Sequence, residues 1–150
     1  MRFMELAMQE AIKAQGAGEV PIGALVVHKD GEVISRAYNL TKTTYDPSAH
    51  AEINALRIAT SKIENNILKD YDLYVPLEPC LMCTVAITNA RIRRLYFGAY
   101  ANQQNEFTSS ESARYLSSQE CNHRPDIYGG ILEIQNRELI KSFFQSKREG

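Results

Sequence analysis

Apolar positions recur every three or four residues at the start of the chain. Met4, Ala7, Met8, Ala11 and Ile12 fall on one face of a helix over Phe3–Gln15, which Gly16-Ala17-Gly18 ends. The period then changes. Gly23–His28 is a nearly unbroken apolar run, Lys29-Asp30-Gly31 is a hairpin turn, and Glu32–Tyr38 returns as a second strand. Asp46-Pro47-Ser48 reads as a turn and helix start ahead of a helix over Ala49–Ser61. Asp72–Pro76 is a short strand leading into a helix over Leu81–Asn89. Arg93–Phe97 is the next strand, closed by Gly98. Strand, helix, strand in this order predicts a crossover between parallel strands. Asn102–Ser112 is polar and loop-like, and Ser112–Ser118 predicts a short helix. Ile131–Ile134 predicts a short last strand, and Arg137–Ser146, with Leu139, Ile140, Phe143 and Phe144, a terminal helix. These elements predict an α/β chain, a three-layer α/β/α arrangement with a mixed central sheet.

Composition bounds this picture without changing it. A length of 150 residues suits one domain, 1–150. No apolar run approaches membrane-spanning length and the N-terminus lacks a signal-peptide pattern, so no membrane role is expected. Three cysteines give no disulfide framework, and a reducing cytoplasm is the expected location. The net charge of −1 excludes a bulk polyanion binder. Arg91, Arg93 and Arg94 cluster after the Leu81–Asn89 helix, and Lys147-Arg148 lies near the C-terminus. Each is a local candidate for contacting nucleic acid, although such clusters taken alone read more readily as a solvated charged face.

The candidate chemistry lies in two short stretches, His50-Ala51-Glu52 and Pro79-Cys80-Leu81-Met82-Cys83. With 3 His and 13 Glu, shuffling this composition yields a His-x-Glu in roughly one chain in four, so that half is weak alone. With 5 Pro and 3 Cys, it yields Pro-Cys-x-x-Cys in about one chain in a thousand. The Cys half therefore carries the weight. Read apart from the His half, the two cysteines are also compatible with buried small side chains or a redox pair. Together, His50, Cys80 and Cys83 make a zinc ligand set with a fourth position left to water, and Glu52 is an acid/base group beside it. Pro79 suits a helix entry, Cys80 and Cys83 share one helix face, and His50 and Glu52 are expected in the first turn of their helix. Two helix N-termini would converge on one metal. A closed, purely structural site with a further protein ligand stays open, although His28 and His123 lack ligand spacing. Cys121 has no assigned role.

This spacing, H-x-E…P-C-x-x-C, is the signature of zinc-dependent nucleobase deaminases. The chain resembles the bacterial tRNA adenosine deaminases, within the cytidine deaminase-like superfamily, over nearly its whole length. The resemblance is carried by Val20-Pro21-Ile22-Gly23-Ala24, Asn39, Asp46–Ile53, Ala55-Leu56-Arg57, Leu77–Cys83, Arg91-Ile92, Phe97-Gly98-Ala99, Asn122-His123-Arg124 and Phe143-Phe144. It implies a cytidine deaminase-like fold, bound Zn2+, a homodimer, and conversion of the wobble adenosine of a tRNA anticodon stem-loop to inosine. It also implies substrate contacts from Asn39, from the Ala51 backbone, from Pro79 in the pocket wall, and from Phe143 or Phe144 near the anticodon loop. Without the resemblance, Asn39 reads as a turn residue and the two phenylalanines as core packing.

The chain departs from that family after Phe97-Gly98-Ala99, where Tyr100-Ala101-Asn102-Gln103-Gln104 replaces a basic residue, Asp, a variable residue, Lys and Gly. Thr84-Val85-Ala86 and Asn89-Ala90 also replace the usual residues of the Cys helix. The zinc centre is untouched and the substrate-facing rim is altered. Two other readings therefore stay open: a deaminase of free guanine, cytosine or cytidine, and a catalytically silent zinc-stabilised subunit.

Overall fold

Residues Gly23–His28 have no polar face, and the strand they form is accordingly covered on both sides. In the computed structural model, which describes residues 2–102, 107 and 110–149 (side chains to 145), this strand, β1, lies second in a five-stranded sheet. The sheet order is β2 (Val33–Tyr38), β1, β3 (Tyr71–Leu77), β4 (Arg94–Ala99), β5 (Asp126–Tyr128). β1 pairs antiparallel with β2 and β3, whereas β3–β4 and β4–β5 are parallel, so the sheet is mixed. The β3–β4 crossover contains the helix Leu81–Asn89, as the strand, helix, strand order predicts.

Side-chain alternation divides two cores. Leu25 and Val27 pack with Met4 and Ala7 of α1 (Arg2–Gly16) on one face. Ala24, Val26, Leu73, Val75, Leu95 and Phe97 face the other way, onto Ala51, Ala55, Leu56 and Ala59 of α2 (Ala51–Ile63) and Ile87 of α3 (Leu81–Asn89). Two glycines let helices approach the first face closely. A Cβ on Gly23 would overlap Ala7 and Glu10 of α1. One on Gly98 would overlap Asn136 of α5 (Glu133–Glu149).

Several boundaries differ from the sequence expectation. Ile131–Ile134 is not a strand. Leu132 adopts a left-handed φ of 51°, and α5 begins at Glu133, four residues before the expected start. The last strand is instead the short, polar Asp126–Tyr128, held at the sheet edge by parallel pairing with β4 and by Tyr128 stacking on Tyr96. The short helix α4 spans Glu111–Leu116, capped by the Ser110 side chain. The helix expected from Ala49 starts at Ala51, so His50 is its N-cap rather than part of its first turn. Pro79 likewise lies two residues before α3, whose N-cap is Cys80.

Candidate active site

The loop from β2 to α2 sets the position of His50. Asp46 accepts hydrogen bonds from the Ser48 backbone N–H (2.9 Å) and hydroxyl (2.7 Å), closing the turn before the helix. Asn54, in the second turn of α2, donates to the carbonyls of Tyr38 (2.9 Å) and Ala49 (3.1 Å) and so ties the helix start to the end of β2. His50 and Cys80, each the N-cap residue of its helix, then face one another. His50 Nδ1 lies 3.6 Å from Cys80 Sγ and 3.5 Å from Cys83 Sγ. A tetrahedral zinc with bonds of about 2.0–2.1 Å to nitrogen and about 2.3 Å to sulfur separates such N and S ligands by about 3.6 Å. The imidazole nitrogen therefore stands from each sulfur at the spacing zinc requires, and the three ligand atoms all lie within 4.8 Å of one another. Among the described residues no further His, Cys, Asp or Glu joins this cluster, which leaves the tetrahedron one ligand short.

The electrostatics of the donor set also fit a cation. Hydrogen bonding from Cys83, with a smaller contribution from His50, lowers Cys80 to about 5. Its donation to Cys80, together with burial and the neighbouring Glu52, pushes Cys83 far up. Without a positive charge the two sulfurs do not ionise together, and a divalent metal supplies that charge. No Lys or Arg lines the adjoining cavity among the described residues, although Glu52, Glu78 and Glu111 all do.

Glu52 sits in the first turn of α2 and is 4 % exposed. Burial disfavours its charged form and pushes its pKa up to about 7. A carboxyl poised near neutrality beside a metal site is suited to accept a proton and return it.

The cavity above these groups has a volume of about 490 Å3. Of the residues expected to contact a substrate, Asn39, Ala51 and Pro79 line it, and Phe143 and Phe144 do not. Phe143 is buried on α5, packed edge to face against Phe144, while Phe144 is 48 % exposed. Ala101, in the segment that departs from the family, lines the cavity, and its backbone N–H donates to Glu78 at 3.3 Å. Residues 103 and 104, which complete that segment, lie outside the described residues, as do the side chains of Lys147 and Arg148. The arginine cluster is dispersed. Arg93 forms a two-point ion pair with Asp72 (2.9 and 2.8 Å), and Arg91 donates to the Asn122 carbonyl. Cys121 is bonded to the His123 carbonyl, away from the metal cluster.

Sequence reasoning overlooked four polar groups here. Glu19 is fully buried beneath Asn39. Glu78 is buried in the cavity wall. Ser112 and Thr84 form a buried hydroxyl pair, with Ser112 donating to the Pro79 carbonyl (2.8 Å) and Thr84 sharing its one hydroxyl proton between Ser112 Oγ (3.0 Å) and the Cys80 carbonyl (2.9 Å). None has a sequence signature, because the partner that gives each its place here, Asn39 for Glu19, Ala101 for Glu78 and Thr84 and Ser112 for one another, lies on a different element.

Comparison with known proteins agrees with this geometry. Residues 1–99 match the model of the cytidine and deoxycytidylate deaminase zinc-binding region. A tRNA-specific adenosine deaminase of Agrobacterium fabrum is 46 % identical, the match covering 97 % of this chain and 94 % of that one. A structure solved in a study of A-to-I editing by tRNA:A34 deaminases at the wobble position superposes with a TM-score of 0.84 at 45 % identity, covering 92 % of this chain and 98 % of that one. A guanine deaminase from Bacillus subtilis superposes with a TM-score of 0.65 at 30 % identity, covering 99 % and 93 %.

Proposed function

As this chain belongs to the tRNA-specific adenosine deaminases, within the cytidine and deoxycytidylate deaminase family, we infer that it converts the wobble adenosine of a tRNA anticodon loop to inosine and releases ammonia. The observation that carries the reading is the zinc-spaced His50, Cys80 and Cys83 beside the buried Glu52, in a chain nearly half identical to such an enzyme along its length.

In this reading His50, Cys80 and Cys83 hold Zn2+. When bound, zinc acidifies water enough to make it a nucleophile near neutral pH. Glu52 takes one proton from the attacking water and delivers it to the ring nitrogen beside the attacked carbon. It then takes the proton of the new hydroxyl and hands it to the amino group, which departs as ammonia while the carbonyl of inosine forms. Asn39, the Ala51 backbone and Pro79 orient the base in the cavity. Phe144, half-exposed on α5, offers its ring to a loop base, and Phe143 supports it from the core. An anticodon loop suits such a cavity because its bases are already unpaired and enter at lower cost than from a duplex.

We also propose that the chain works as a homodimer in the cytoplasm. Apolar Ile58, Leu81 and Met82 stand exposed on α2 and α3, which favours a partner surface, and light scattering at twice the chain mass is the expected result. Among the described residues no helix is long and apolar enough to cross a membrane. The experiment that tests the function is turnover of an anticodon stem-loop by zinc-loaded protein, with free guanine as the competing substrate. Inosine in the stem-loop supports the reading. Guanine consumed with RNA untouched moves the chain to the free-base deaminases.

A further inference from the structure

Given the deaminase reading above, we propose that Glu19 is a positioning residue for base recognition, acting through Asn39. Glu19 lies between α1 and β1 and has no exposed surface. Its carboxylate collects the loop that follows β2. Oε1 accepts from Asn39 Nδ2 (3.2 Å) and the Lys42 backbone N–H (3.2 Å). Oε2 accepts from the Thr43 backbone N–H and hydroxyl (both 2.7 Å). Burial opposes its ionisation, yet these bonds from Thr43, Lys42 and Thr41 outweigh it and hold the group below the usual carboxylate range. An ionised carboxylate only accepts hydrogen bonds, so it dictates which end of the Asn39 amide faces it. Nδ2 must point to Glu19 and to the Thr41 hydroxyl (3.3 Å), and Oδ1 has no partner among the described residues. Asn39 itself is only 6 % exposed and lines the cavity. An amide on the wall of a recognition pocket is useful only if it cannot turn over, because a flipped amide swaps its donor for an acceptor. Glu19 removes that freedom without touching a substrate, and by gathering residues 41–43 it fixes the loop that leads to His50.

The test is a double-mutant cycle on Glu19 and Asn39 in zinc-loaded protein, scored on whichever of stem-loop or guanine the parent turns over. Glu19→Gln preserves volume but replaces an acceptor with a donor. We expect it to lower kcat/KM at least tenfold, mostly through KM, with zinc content unchanged. In the Asn39→Ala background the same substitution is expected to cost less than threefold. A loss of equal size in both backgrounds, or no loss in the parent, overturns the proposal, because a merely structural Glu19 acts independently of Asn39. If Glu19→Gln does not fold, Thr43→Ala removes one of the bonds that hold the carboxylate and enters the same cycle with the same two outcomes. A parent inactive on both substrates overturns the deaminase reading itself, and the positioning role with it.

Discussion

The Thr84–Ser112 pair gives a quantitative test of how α4 holds the metal-bearing loop. Ser112 is 3 % exposed and donates to the Pro79 carbonyl at 2.8 Å, one residue before a ligand. Ser112→Ala leaves that buried acceptor with only the Thr84 hydroxyl at 3.5 Å, a poor replacement. Orphaning a buried polar group costs about 1–3 kcal/mol, and the residual Thr84 contact places this case in the lower half, about 1–2 kcal/mol. Thr84→Val is the contrasting change. It removes a donor to the Cys80 carbonyl, but that oxygen keeps the Thr84 backbone N–H at 2.9 Å, and Ser112 keeps Pro79. Its cost should stay below about 1 kcal/mol. For a chain of this size Ser112→Ala should lower the melting temperature by roughly 3–7 °C, and Thr84→Val by less. Thermal unfolding at fixed zinc concentration measures both. A reversed order, or a Ser112→Ala protein as stable as the parent, would show that the Ser112 bond to Pro79 does not hold this loop.

Metal analysis should find about one zinc per chain, and Cys83→Ser should abolish tight binding. Chelation should lower the melting temperature, because the two sulfurs lose the cation that lets both ionise. Glu19 makes an acid-stability prediction. Its folded pKa lies below the ordinary value of 4.5, so its contribution is present above that value and is lost as pH falls through the folded pKa. Glu19→Gln should therefore be less stable than the parent at pH 7, with the difference shrinking below about pH 4.5. Urea midpoints across that range measure it, and a pH-independent difference contradicts it.

Much of the fold is legible in the chain because its signals are local. The unbroken apolar β1, the Lys29-Asp30-Gly31 turn and the amphipathic α1 each follow from spacing alone, and the paired motifs bring His50, Cys80 and Cys83 to one point. The failures occur where tertiary contacts override local pattern. Ile131–Ile134 is rich in β-branched residues, yet Gly129-Gly130 and the left-handed Leu132 turn the chain into α5. Asp126–Tyr128 is too short and polar to read as a strand, and forms one because β4 offers it an edge. Buried Glu19 and Glu78 resemble any surface glutamate in a sequence, since the partners that satisfy them lie twenty or more residues away.

The proposed deamination rests on Glu52. The most direct measurement is sequencing of an anticodon stem-loop after incubation with zinc-loaded parent and Glu52→Ala proteins. Inosine at the wobble position is expected with the parent. With the variant the rate should fall at least 100-fold, about 2.7 kcal/mol of transition-state stabilisation, at equal zinc content. A variant that makes inosine at the parental rate would show that Glu52 does not carry the proton transfers.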